Sequence, residues 1–420
     1  TIYPNSSTNL NINASDILNK LSAGNLTITA SCITLSSAIS HTTNLKNLNF
    51  VSSGNIIVNS SLTLNGAIGM AGSDIQINEN VNTTSVGNNG SITLKANSNI
   101  SLAASKSITT NGGDVIFWAD QDTTSGGTIS LLSAATIQTS GGRVVLAGGL
   151  DNGSNSGISN DGIPDGYARG VGVSGISTTG SFSINSGSGS IFMKGSSNNR
   201  DGISLSANSS LTGNIISTSG NIDLLGFVEN GTVVTGVSGF IQAGIRTSGG
   251  GIINIESNTG TIRIDGIGPR YGLAFGVFIQ SGSVYFDSDD ATQTIIKTAN
   301  TTTNAISIKG NGQHGISFRG LVTKLHATAA LGGITLDGFS PNWSTTIYNP
   351  VEILSVSGPI NWQNSTSSDG VGVFRTGVIS FGSKSGVNGL TSSSSNIKIN
   401  IQKLTSGAST FAIGTSGQVS

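Results

Sequence analysis

Apolar and polar residues alternate along this chain with period 2, in runs of four or five closed by Gly, Ser or Asn. The commonest phrase is Gly, any residue, apolar, any residue, apolar, any residue, Gly. It stands as GRVVLAG (142–148), GSIFMKG (189–195), GNIDLLG (220–226) and GTIRIDG (260–266), with variants NAISIKG (304–310) and GGITLDG (332–338). Looser copies are GSITL (90–94), GDVIFWA (113–119), GTISLL (127–132) and GSVYF (282–286). Alternation over so few residues, bounded by turn formers, predicts short strands with one buried face, and a helical period does not fit. Strands ended alike six times in one chain are an internal repeat, which points to a solenoid rather than to separate globular cores.

A second phrase interleaves with the first: GVGV (170–173), GISL (202–205), GLAF (272–275), GISF (315–318) and GVGV (370–373). It predicts a second strand in each repeat. The step between phrases is short, 7 positions from Gly195 to Gly202, 6 from Gly266 to Gly272 and 5 from Gly310 to Gly315. Corners of that length suit a coil whose strands stack on their equivalents one turn later. Ile222, Ile253 and Val284 lie 31 apart, which reads as a partly regular repeat length. SDILNKLSAGNLTI (15–28) carries the one helix signal, with Ser15 as cap, Ile17, Leu18 and Leu21 at helical spacing, and Gly24 where a left-handed cap belongs.

The expected organisation is therefore an N-terminal segment with a short helix (1–30), a regular coil (31–340) with an inserted loop at 149–169, and an irregular continuation (341–420). In the last part Pro341, Pro350 and Pro359 cluster and the Gly-closed phrase is lost. At roughly 20 residues per turn and about 4.8 Å of rise, such a coil makes a rod on the order of 100 Å long.

Composition narrows the function. Hydrophobic residues at 35% suffice for a packed coil, so the Gly/Ser richness does not signal disorder. Charged residues are only 9%, 19 basic against 20 acidic, which excludes the basic stripe that nucleic acid requires. No run approaches the ~20 apolar residues of a membrane span, so no membrane insertion is expected. Cys32 is the only cysteine and rules out an intrachain disulfide; its setting, SCITL, reads as a small buried hydrophobe. His41, His314 and His326 have no partner at zinc-ligand spacing. The opening TIYPNSSTNL is no signal peptide, so the chain reads as an interior piece or as one whose leader was removed.

The order ILNKLSAGNLTI, CITLSSAI, LTLNGAI, SITTNGGDVIFWAD, IQTSGGRVVLAGG resembles the repeat-bearing passenger regions of large bacterial adhesins similar to filamentous haemagglutinin, over about residues 10–340. The resemblance implies an all-β fold, a right-handed parallel β-helix with one short N-terminal helix. It also implies export to the cell surface or medium with the help of an outer-membrane secretion partner; the sequence itself has no GxSxG, phosphate loop or nucleotide fingerprint, so no enzymatic activity is expected. The secretion signature of that family is not apparent: the sole Asn-Pro, Asn349-Pro350, lies far downstream. On this reading the chain is a stalk or adhesive segment that meets a cell-surface protein or glycan receptor. End-to-end self-association into a filament is the first alternative, because an open solenoid end exposes unpaired strands.

Candidate site residues fall in three places. Between Gly148 and Gly170 the cadence is interrupted by GLDNGSNSGISNDGIPDGYAR, about 15 residues beyond what a corner needs. Its Asp151, Asn155, Asn160, Asp161 and Asp165 suit Asx turns first, and a calcium site of Asp151, Asn160, Asp161 and Asp165 second, since hard cations want six or more oxygens. Otherwise no cofactor is expected. Trp343, Tyr348 and Trp362 are candidates for stacking on sugar rings, against the plainer expectation that they fill a distorted coil. FDSDD (286–290), with Arg263, Asp265 and His314 nearby in sequence, is the one carboxylate group that a polysaccharide-cleaving β-helix would need, and an exposed acidic corner is the simpler reading.

Overall fold

The computed structural model describes residues 13–124, 126–153, 158–229, 242–268, 281–286, 292–312, 314–318, 321–329, 331–340, 343–347, 351–355, 358–366, 379–382 and 397–403. Among them the chain is all-β apart from one α-helix and one 3-10 turn, with parallel strands in three sheets. It is a parallel β-helix. Two compact units divide it, one comprising Thr1–Arg169, Ile176–Thr178 and Phe182–Lys194, the other Gly170–Gly175, Thr179–Ser181 and Gly195–Ser420. The division lies inside the span that the cadence presents as one regular coil.

In the first unit each turn gives one strand to each sheet. The first sheet stacks Leu26–Ala30, Leu48–Ser52, Ile68–Gly72, Ile92–Ala96, Val115–Ala119, Val144–Gly148 and the start of Ile191–Ser197. Its interior rows are Leu48, Ile68, Ile92, Val115, Val144, Ile191 and Phe50, Met70, Leu94, Phe117, Leu146, Met193, all buried. The second sheet stacks six isoleucines in register, Ile33, Ile56, Ile75, Ile100, Ile129 and Ile176. β-Branched chains suit such rows because each packs flat on its equivalent one strand away. In the second unit the same device recurs in the first sheet as Ile222, Ile262, Ile306, Ile334 and Ile360. After 340 the pairing persists: Ile360–Thr366 matches Ile397–Lys403 over all seven positions.

The Gly-closed heptapeptides all belong to the first sheet, and their glycines have separate steric causes. The opening glycines stack on one another at the corner entering that sheet. A Cβ on Gly142 would collide with the carbonyl of Gly113, one on Gly189 with that of Gly142, and one on Gly260 with that of Gly220. The closing glycines lie where the chain turns into the second sheet: a Cβ on Gly226 would strike the Gly244 carbonyl, and one on Gly310 the Gly315 carbonyl. A buried hydroxyl three residues before the opening glycine completes the corner. Thr110, Thr139 and Ser186 donate to the carbonyls of Gly113, Gly142 and Gly189, and Thr139 also reaches the Ser186 carbonyl of the next turn at 3.0 Å.

Several sequence expectations are corrected. Ile222, Ile253 and Val284 lie in three different sheets, pairing with Ile262, Thr294 and Ile316, so 31 is not the repeat length. Early turns run 22, 20 and 24 residues, from Leu26 to Leu48, to Ile68, to Ile92. The turn from Ile222 to Ile262 takes 40, because its strands are longer, 7, 7 and 6 residues against 5, 3 and 3 in the first turn, and its connections are longer too. GISL and GISF do mark second-sheet strands, Ile203–Ser206 and His314–Phe318. GVGV at 170–173 does not, since the second-sheet strand there is Ile176–Thr178; GLAF (272–275) and GVGV (370–373) lie outside the described residues. The helix is Ala14–Ala23, capped by Asn13 without a side-chain bond, so Ser15 sits inside the first turn. Gly24 is extended (φ −179°) rather than left-handed, because the chain passes straight into the strand at Leu26, whose N–H bonds the Asn47 carbonyl. Cys32 is exposed, on a bend ahead of its strand.

Candidate functional site

Chemistry in the first unit gathers on the outer face of the first sheet. Two outward rows run there, Asn49, Gly69, Thr93, Ile116, Val145, Phe192 and Val51, Ala71, Lys95, Trp118, Ala147. At the strands Val115–Ala119 and Val144–Gly148 every position is buried, outer face included. The inserted loop is the cause. Ile163 from the loop, with Phe192 from the sheet, packs on Ile116, Trp118, Val145 and Ala147 to form a small core outside the coil.

Polar contacts hold this loop down. The Trp118 indole N–H donates to the Gly149 carbonyl at 2.6 Å. Asp165, 1% exposed, accepts from the backbone N–H groups of Asn152 (2.8 Å) and Gly153. Asp151 accepts from the N–H of Gly162 (2.8 Å) and of Asp161 (3.3 Å), and Asp161 closes an Asx turn with the N–H of Ile163. Lys194, 8% exposed, donates to the Asp165 carbonyl and lies 4.6 Å from the Tyr167 ring centroid. Burial pushes the Lys194 ammonium below the usual lysine range, and the Asp165 charge offsets part of that.

Of the calcium candidates, Asp151, Asp161 and Asp165 thus each accept from backbone N–H groups of their own loop. Asn160 occupies the left-handed region (φ 60°) at the turn. Among the described residues no group of three or more His, Cys, Asp or Glu is gathered to hold a metal ion. Asn155 lies outside those residues.

Beside the loop, a groove of about 300 Å³ runs over Gly69 and Ala71, walled by Asn49 and Val51 on one side and by Thr93 and Lys95 on the other. Small residues on one strand between larger ones on its neighbours make the depression. The Lys95 ammonium lies 4.4 Å from the Trp118 ring centroid.

The second unit carries charge on the same sheet. Asp223 pairs in register with Arg263, and Asp265 with Lys309, which in turn pairs with Asp337. Arg263 forms an ion pair with Asp265. Burial raises the Asp223 carboxyl above the usual carboxylate range, Arg263 opposes this and Asp265 adds to it. Asp201 is buried under Arg246, whose Nε stands 2.7 Å from Oδ2 in an ion pair. Desolvation raises Asp201 more than Arg246 and the Ala243 N–H lower it.

Trp343 and Trp362 lie on strands, Trp343 paired in register with His314 and Trp362 with Leu336. Tyr348 and Asp287, Asp289 and Asp290 of FDSDD lie outside the described residues. Sequence reasoning passed over Trp118, Lys95 and Lys194. The signal was present: VIFWA (115–119) and VVLA (144–147) are continuous apolar runs, the mark of a strand covered on both faces, where the other strands alternate. No helix among the described residues is long and apolar enough to cross a membrane. Comparison of the chain with family profiles, with curated proteins and with solved structures finds no match in any of the three.

Proposed function

We propose that the chain is a structural and adhesive segment of a surface-exposed or secreted bacterial adhesin, a shaft that presents binding surface on its outer face. The observation that carries this reading is the turn bearing the inserted loop. Val144 pairs with Ile191 across 47 residues, yet the interior rows pass through that turn in register. A coil that absorbs a long insertion without disturbing its interior separates length from presentation, since stability in a solenoid is a sum of neighbour terms. Secretion through an outer-membrane partner and capture of a cell-surface protein or glycan belong to the same proposal.

The test is a pair of deletions. Removing 26–47 takes out one whole turn and sets Leu48 where Leu26 stood; the expected product folds cooperatively and still lets coated beads adhere to cells. Replacing 150–164 by a short Gly-Ser link should leave folding intact and reduce adhesion. Unfolding of the turn-deleted chain, or beads that adhere to no host or bacterial surface, would overturn the reading.

One observation favours a second reading, a carbohydrate-active enzyme. Asp223, raised by burial beside the Arg263–Asp265 ion pair, gives two carboxyl groups with unlike environments, as acid–base hydrolysis needs. Release of reducing ends from an acidic polysaccharide, lost in Asp223→Asn, would establish it; no turnover leaves the adhesive reading alone.

A further inference from the structure

We infer that the groove over Gly69 and Ala71 is a binding subsite for one hexuronate residue of an acidic polysaccharide. The inference deepens the adhesive reading and rests on it. Three features select this ligand. Lys95 is the only charged residue lining the groove, and no carboxylate pairs with it among the described residues; its ammonium rests on the Trp118 ring instead. The floor at Ala71 is small and apolar, which suits the C–H face of a pyranose ring. At the far end the Asn49 side chain leans over Gly69 opposite Thr93, placing an amide and a hydroxyl where ring hydroxyls need partners.

The geometry assigns each group a role. The sugar carboxylate meets Lys95 Nζ, the ring lies on Ala71, and Asn49, which covers Gly69, and Thr93 bond its hydroxyls. A carboxylate is preferred to a neutral sugar because an ammonium held on an aromatic face gains a charge-assisted hydrogen bond when an anion arrives. The loop core at Trp118 fixes one wall of the groove, since Trp118 is held by the Gly149 carbonyl.

The test is isothermal titration of the full chain with trigalacturonate and with its fully methyl-esterified form. The expected result is saturable binding of the acid and about fivefold weaker binding of the ester, the upper range for a half-exposed ion pair. Lys95→Gln should lower affinity for the acid to that for the ester, and Lys95→Arg should restore it. Ala71→Leu, which fills the groove from an outward position, should remove binding of both. Equal affinity for acid and ester, an unaffected Lys95→Gln variant, or no binding of trigalacturonate would overturn the assignment. The turn-deletion experiment does not use this groove, so failure here and failure of the adhesive reading are separable.

Discussion

Asp165→Ala should free the inserted loop while leaving the coil folded. The carboxylate is 1% exposed and accepts from the N–H groups of Asn152 and Gly153. A hydrogen bond to a charged group contributes about 1.5–3 kcal/mol, less where water can reach the freed donor. The two donors are half-buried or exposed, so the loss is about 2–4 kcal/mol, with a further cost because Lys194 loses the charge that offsets its burial. By the usual factor of ten per 1.4 kcal/mol, the open population of the loop rises roughly 30- to 700-fold. Hydrogen exchange reads this directly: amides in 150–164 should lose protection by that factor, while those of Phe117 and Leu146 in the interior rows keep theirs. Unchanged exchange in 150–164 would refute the reasoning. So would equal loss at Phe117 and Leu146, which would mean that the loop and coil are one cooperative structure.

Lys194 makes loop docking pH-dependent in an unusual direction. Its folded pKa is depressed by burial, so the open state binds more protons between that value and the ordinary lysine range. Loop protection should therefore rise as the pH climbs toward the ordinary lysine range, about 10.4, and Lys194→Met should flatten the profile. Gly142→Ala should cost at least about 2 kcal/mol in a denaturant titration, since the added methyl meets the Gly113 backbone rather than a movable side chain. Thr139→Val keeps the shape but removes the donor to the buried Gly142 and Ser186 carbonyls, and should cost about 1–3 kcal/mol by the same measurement. Arg246→Met strands the buried Asp201 charge and should cost about 3 kcal/mol in thermal unfolding at pH 7, most of it recovered by adding Asp201→Asn.

The candidate site was only partly legible. The inserted loop was visible as a break in cadence, and its Asp and Asn residues as turn formers. What lies beneath the loop was not. Ile116 and Trp118 have the same alternation parity as outward residues elsewhere, and only the unbroken run VIFWA marks them as covered. Lys95, Gly69 and Asn49 come from three strands about twenty residues apart, and the groove exists only in their register. The aromatic candidates Trp343 and Trp362 attracted attention by type, and only the structure supplies their strand partners, His314 and Leu336.

The sequence by itself determined the parallel coil, because a period-2 pattern repeated with glycine at both ends of a strand leaves few other ways to bury one face. It also determined which rows are interior, since Ile, Val and Leu recur at the same place in each phrase. Only the tertiary structure decided the length of each turn and the partner of each strand. Connections carry no periodic signal, and spacing such as that of Ile222, Ile253 and Val284 can join strands of different sheets. It alone decided that glycine opens the phrase because it stacks on the carbonyl of the previous turn, and that the loop lies on Trp118. Both are contacts between residues distant in sequence, which local pattern does not encode.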